Sequence, residues 1–320
     1  MLNRRLFLAT TASALSLLPL SAMAQDKLPV VATFSILGDM VANVGGDRVA
    51  VTTLVGPDGD AHVYEPTPAD AQAVAAAQVV FVNGLAFEGW LDRLIEASEY
   101  KGAVVLATTG VVPLEMAEEA HHEEGEAHEE GESHVEGEEG DDHGGADPHA
   151  WQSLANARIY VANIEAGLTA ADPEGAATYA ANAAAYLAEI DAVEAEVIAA
   201  IAALPVERRS IVTSHDAFGY FGAAYGLTLH APEGLSTESE PSAADVATLI
   251  TQMKAEAILA VFMENITDSR LLEQITAETG AKVGGTLFSD ALSPADGPAG
   301  TYLDMMRHNV ATLTAALGSS

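Results

Sequence analysis

Cysteine is absent from this chain, and Lys and Arg together supply only 13 of its 320 residues, against 47 Asp and Glu. Without thiols there can be no disulfides, thiolate metal sites or cysteine nucleophiles, so any metal site must draw on His, Asp and Glu. The shortage of basic residues leaves a formal net charge of −34 at pH 7. Such a charge repels nucleic acid and anionic lipid headgroups and argues against both as partners. Long hydrophobic runs are also missing. The one apolar stretch, Leu6 to Leu20, is short and interrupted by polar residues and Pro19, which argues against a permanent membrane span.

That stretch reads instead as part of an export signal. Asn3-Arg4-Arg5-Leu6-Phe7-Leu8 is a basic start, and Ala22-Met23-Ala24 is a small-x-small cleavage site, so residues 1–24 are expected to be removed. The destination is a bacterial periplasm. Arg4-Arg5 fits the twin-arginine route, although ordinary export signals also begin with basic residues. Losing the leader leaves 11 basic residues against 47 acidic ones, and about 295 residues, enough for two lobes with sizeable cores.

What the chain has in abundance is carboxylate, concentrated between Glu115 and Asp147. Those 33 residues contain 15 carboxylates, His121, His122, His128, His134 and His143, and no Lys or Arg. A segment so polar and like-charged cannot bury a core, which predicts a solvated, mobile loop. Its imidazoles and carboxylates are nevertheless ligands for borderline divalent metals such as zinc. The expected role is weak, multiple and dispensable metal collection beside an ordered site.

Around the tract, apolar strands alternate with helical segments. The strands are Leu28 to Phe34, Val49 to Val55, Val79 to Val82 and Ala103 to Leu106. They are separated by helices from Ile36 to Val44, from a start at Thr67-Pro68-Ala69-Asp70 through Ala77, and from Trp90 to about Ser98. This is the pattern of a parallel α/β lobe. Leu154 to Leu168 is helical. Asp172-Pro173-Glu174 opens an Ala-rich helix to about Leu204, with Leu187, Ile190, Val193, Val197, Ile198 and Ile201 as its apolar stripe. Some 30 residues of helix would span roughly 45 Å. Strands at Arg209 to Thr213, Leu227 to Leu229, Ala257 to Phe262 and Lys282 to Gly284 follow. They alternate with helices at Ala217 to Tyr225, Ser242 to Lys254, Ser269 to Thr279 and Ala299 to Leu317. The predicted fold is α/β: two parallel-sheet lobes, 25–171 and 206–320, joined by one long rigid helix, 172–205.

Three histidines outside the tract and one aspartate follow predicted strands: His62, His149, His215 and Asp290. Loops beyond the carboxyl ends of parallel strands line the ligand crevice, so the four can converge between the lobes. Three imidazoles and a carboxylate would complete a four-coordinate zinc shell with no position for water, as a carrier requires and a hydrolase does not. His230 and His308 fit no such position and read as structural or exposed. Glu65 and Asp216 are candidates for orienting ligand imidazoles, or for turn and helix-start roles. Ser214-His215-Asp216 is no catalytic triad, since three consecutive residues cannot meet in that geometry.

The segments His62-Val63-Tyr64-Glu65-Pro66-Thr67-Pro68, Asp147-Pro148-His149-Ala150-Trp151 and Thr213-Ser214-His215-Asp216-Ala217-Phe218-Gly219-Tyr220, with Ser289-Asp290, carry a resemblance. They are similar to the metal receptors of bacterial zinc and manganese ABC importers, the ZnuA-like family of cluster A-I. The likeness covers essentially the whole chain beyond the leader. It implies a non-enzymatic periplasmic receptor that binds one divalent ion between its lobes and hands it to a membrane permease. It also implies His62, His149, His215 and Asp290 as ligands, and modest lobe tilting on binding rather than wide hinge opening. Manganese members often have Glu at the third position; His215 here favours zinc. Some zinc members carry a disulfide in the second lobe, which this chain cannot form.

The expected cargo is therefore Zn2+, with Mn2+ as the alternative. The expected partners are an ABC permease and a periplasmic zinc chaperone, and the expected state is a monomer. A secreted zinc hydrolase is the distant alternative, lacking both a His-Glu-x-x-His helix and an open site for activated water. Affinity should fall below about pH 6.5, where imidazoles protonate.

Overall fold

The computed structural model describes residues 26–114 and 145–318. The leader and the five tract histidines His121, His122, His128, His134 and His143 lie outside the described residues. Strand β1 (Leu28–Phe34) buries Val30, Val31, Ala32 and Phe34 in one apolar run, as a central parallel strand covered on both faces does. It pairs in parallel with β2 (Val49–Val55) and β3 (Val79–Val82). β3 in turn pairs with β4 (Ala103–Leu106), giving the order β2-β1-β3-β4. The crossovers are α1 (Ser35–Gly45), α2 (Pro68–Ala76) and α3 (Leu91–Ala97). α2 begins as its sequence predicts. Thr67 accepts from the Asp70 amide, Asp70 accepts from the Thr67 amide, and Pro68 occupies the first turn.

α4 (Leu154–Ala171) runs three residues past its predicted end. A short 3-10 turn over Pro173–Gly175 follows, pinned by Asp172, which accepts from the Gly175 amide, the Arg48 guanidinium and the Tyr179 hydroxyl. The long helix α5 (Ala176–Ala202) therefore has 27 residues, about 40 Å at 1.5 Å per residue. Its buried stripe is Tyr179, Ala183, Tyr186, Ile190, Val193, Val197 and Ile201. The expectation for Ile198 was wrong: it lies one step off that face and is 53% exposed.

The second lobe repeats the first. β5 (Ser210–Val212), β6 (Thr228–His230), β7 (Ala260–Glu264) and β8 (Lys282–Leu287) form a parallel sheet in the order β6-β5-β7-β8. Helices α6 (Gly219–Tyr225), α7 (Ala243–Glu256) and α8 (Arg270–Thr279) connect them, and α9 (Tyr302–Gly318) closes the chain. β7 starts three residues later than predicted. α7 continues through Glu256, and Ala257 takes the left-handed cap position at φ 55°, so it cannot belong to the strand. Among the described residues no helix is long and apolar enough to cross a membrane.

The lobes are not packed as separate bodies. One continuous apolar core runs from Val31 and Phe34 through Trp151 and Ile190 to Phe221, Phe262 and Met306. A smaller cluster, with Val246, Leu249, Met253, Leu272 and Ile275, fills the space beneath α7 and α8. Polar contacts tie the lobes together at the rim. Leu292 N donates to Ser35 Oγ (2.9 Å), Asp58 N to Leu292 O (2.9 Å), and Tyr302 N to Asp39 Oδ2 (3.0 Å).

Candidate metal centre

Four loops deliver four side chains to one point. His62 comes from the loop after β2, with its amide held by Asp60 Oδ1 at 2.9 Å and the preceding carbonyl of Ala61 bonded to Trp90 Nε1 at 2.7 Å. His149 follows Pro148, whose carbonyl accepts from Asn83 Nδ2 at 2.9 Å. His215 lies three residues beyond β5, and Asp290 three beyond β8. The carbonyl of Ser289, just before Asp290, accepts from both Trp151 Nε1 (2.9 Å) and Gln152 Nε2 (2.7 Å). The turn after one ligand thus positions the loop of another.

His62 Nε2 is 3.3 Å from His149 Nε2 and 3.2 Å from Asp290 Oδ2. His215 Nε2 is 3.2 Å from Asp290 Oδ2, and His149 Nε2 is 3.6 Å from Asp290 Oδ1. One ligand atom from each residue lies within 4.8 Å of all the others. A tetrahedral shell with zinc–ligand bonds of about 2.0–2.1 Å has edges of about 3.3–3.4 Å. The four groups are therefore spaced as ligands around a single small cation. His149, His215 and Asp290 are fully buried, and His62 is 6% exposed. Phe87 packs edge-on against His62, and Trp151 packs against His149, which keeps the surroundings dry and strengthens charge interactions inside.

Such a cluster cannot hold its charges independently. Burial opposes protonation of His149, but Asp290 and Asp147 outweigh it and push the imidazole up to about 9. Burial likewise opposes charge on His215, yet Glu264 and Asp290 raise it well above the ordinary value. Burial would neutralise Asp290, but His149 and His215 hold its carboxyl well below the usual carboxylate range. Without a cation, protons on His149 and His215 offset the carboxylate charge, and a divalent ion must displace them.

The imidazoles are backed by carboxylates other than those proposed from sequence. Asp147 Oδ1 lies 2.8 Å from His149 Nδ1, and Glu264 Oε2 lies 2.6 Å from His215 Nδ1. Glu65 is exposed and backs no ligand. Asp216 is half-buried; its amide donates to Gly234 O, and burial followed by the Asp147 charge raises its carboxyl. Glu264 had a legible signal, as the single acidic residue ending the apolar strand Ala260-Val261-Phe262-Met263. His230 sits 3.5 Å from Glu256, and His308 3.1 Å from the Thr286 carbonyl; neither reaches the cluster.

The sequence model of the family described as zinc-uptake complex component A, periplasmic (ZnuA), matches residues 30–316. The chain belongs to the ZnuA family. It is 34% identical over 293 residues to the manganese-binding lipoprotein MntA of Halalkalibacterium halodurans, covering 91% of this chain and 89% of that one. It is 32% identical over 293 residues to the iron-binding protein YfeA of Yersinia pestis, with 91% and 87% coverage. Among solved structures, the periplasmic zinc-binding protein TroA of Treponema pallidum superposes with a TM-score of 0.80 at 29% identity, covering 91% of this chain and 99% of that one. Members of the ZnuA family are solute-binding receptors rather than enzymes, and this chain is an extracytoplasmic metal-binding receptor of an ABC importer.

Proposed function

We propose that this receptor captures Zn2+ in the periplasm at His62, His149, His215 and Asp290 and delivers it, as a monomer, to its ABC permease. The observation that carries this reading is the convergence of three imidazole Nε2 atoms and one carboxylate in a buried cluster. Nitrogen-rich shells suit zinc, whereas oxygen-rich shells suit manganese. Four protein ligands in an enclosed site also leave no open position for an activated water, in keeping with carriage rather than hydrolysis. A periplasmic zinc chaperone is a further proposed partner, and the tract histidines a weak collecting site beside the principal one.

Manganese capture is the second reading, supported by relatives named for binding manganese and iron. Native mass spectrometry with metal analysis separates the possibilities. Wild type should hold one zinc tightly against excess manganese. His215→Ala should lose that ion while keeping weaker ones, and deletion of 118–142 should keep it while losing weaker ones. Retention of manganese over zinc would overturn the zinc assignment, and an undiminished ion in His215→Ala would overturn the site.

A further inference from the structure

We propose that Glu264 sets the tautomer of His215, and that a carboxylate is required at position 264 in a way that it is not at position 147. The inference rests on ligation by His215 and deepens that reading. A neutral imidazole carries one N–H and one lone pair, so Nε2 can bind a cation only when the proton sits on Nδ1. The group facing Nδ1 therefore decides whether the ring is a ligand.

The two backing carboxylates solve this differently. Asp147 uses one oxygen for both tasks: Oδ1 accepts from the His149 amide at 2.8 Å and faces His149 Nδ1 at 2.8 Å. Its second oxygen, Oδ2, points toward Gly219, where an added Cβ would lie 2.5 Å from it. Glu264 divides its oxygens. Oε1 accepts from the Ser214 amide at 2.8 Å and the His215 amide at 2.9 Å, while Oε2 faces His215 Nδ1 at 2.6 Å. That last contact is an ion-pair approach and not an aligned hydrogen bond, and neither of its atoms has a hydrogen-bond partner among the described residues. Both side chains are fully buried, so no solvent can substitute for either partner.

An amide in place of each carboxylate has opposite consequences. Asn at 147 can keep its oxygen on the His149 amide and ring and turn its NH2 toward the Oδ2 position. Gln at 264 has one oxygen for three donors. The two backbone N–H groups are fixed and claim that oxygen, which aims the NH2 at Nδ1. Two donors cannot face each other in a buried site, so Nδ1 becomes an acceptor and the ring proton moves to Nε2. There it points at Asp290 Oδ2, 3.2 Å away, and a hydrogen bond between them occupies two ligand atoms at once. The substitution thus switches His215 from ligand to blocker.

The test measures zinc affinity by chelator competition for wild type, Glu264→Gln, Asp147→Asn, His215→Ala and the double variant Glu264→Gln/His215→Ala. Loss of an outer partner usually costs 10–100-fold. Glu264→Gln is expected to lose more than about 100-fold and Asp147→Asn about tenfold or less, with Glu264→Gln adding no further loss once His215 is gone. NMR of 15N-histidine-labelled, metal-free Glu264→Gln at alkaline pH should show His215 protonated on Nε2. Equal losses in the two amide variants, a Glu264→Gln effect that persists in the His215→Ala background, or an Nδ1–H tautomer in Glu264→Gln would each overturn the proposal. If Glu264→Gln does not fold, the cycle is run with Glu264→Ala, whose loss must also vanish in the His215→Ala background. A wild type that prefers manganese would sink the zinc assignment alone, because the same cycle can then be read with manganese.

Discussion

At the scale of single residues, the candidate site is a competition between protons and a cation. With His149 pushed up to about 9 by Asp290 and Asp147, the metal-free site keeps a proton on that ring throughout the neutral range. Raising the pH removes the competitor, so zinc affinity should go on climbing above about pH 6.5, where ordinary imidazoles are already neutral, at least as far as His149's value of about 9, with the raised His215 adding to the same trend. Each displaced proton contributes on the order of tenfold in affinity per pH unit. Chelator competition at several pH values, with proton release followed calorimetrically in two buffers of different ionisation enthalpy, checks this. Affinity flat above about pH 6.5 would mean that the imidazoles are already neutral there. The four proposed ligands were legible because each sits inside a short sequence motif. Glu264 showed only as an acid ending an apolar strand; its partner was hidden, because it reaches His215 across 49 positions of chain through the parallel pairing of β5 with β7, and spacing alone carries no trace of that neighbour.

At the scale of elements, α6 illustrates how a helix start can serve a distant ligand. Gly219 is its first residue, and a side chain there would meet Asp147 Oδ2 at 2.5 Å and Leu114 Cδ2 at 3.2 Å. Alanine is ordinarily the better helix former by about 1 kcal/mol, so Gly219→Ala should fold. Its methyl group must nevertheless displace the carboxylate that supports His149. The expected outcome is about a tenfold or greater loss of zinc affinity with little change in melting temperature. Unchanged affinity would show that Asp147 can retreat and still hold the ring. Element types and order were readable from apolar runs and caps such as Thr67-Pro68-Ala69-Asp70, because these are local signals. Ends set by tertiary context were not: the left-handed Ala257 shortened β7, and the Asp172 bonds to Arg48, Tyr179 and Gly175 delayed α5.

At the scale of the whole molecule, the division that matters energetically does not follow the two lobes. The main core passes from the first sheet through α5 to the inner face of the second sheet and α9, while α7 and α8 rest on a separate small cluster. A continuous core resists wide hinge opening, since separating the lobes would expose the packed surfaces of Trp151, Phe221 and Tyr302. The eight residues of the satellite cluster can open at far lower cost. Zinc bound only to the folded protein stabilises it in proportion to RT ln(1 + [L]/Kd), about 2.7 kcal/mol at 100 times Kd. Amides that exchange only through global unfolding, such as those in the buried middle of α5 around Tyr186 and Ile190, should then slow by about 100-fold. Undocking α7 and α8 uncovers Val212 and Val261 but breaks no strand pairing of β7 with β5 or β8; if the four candidate ligands stay in place, amides in α7 and α8 should exchange at nearly the same rate with and without zinc. Native-state hydrogen exchange at matched pH measures both. If α7 and α8 slow in step with α5, the satellite and the main core unfold as one unit, and the metal must then act on the second lobe as a whole rather than through Glu264 and His215 alone.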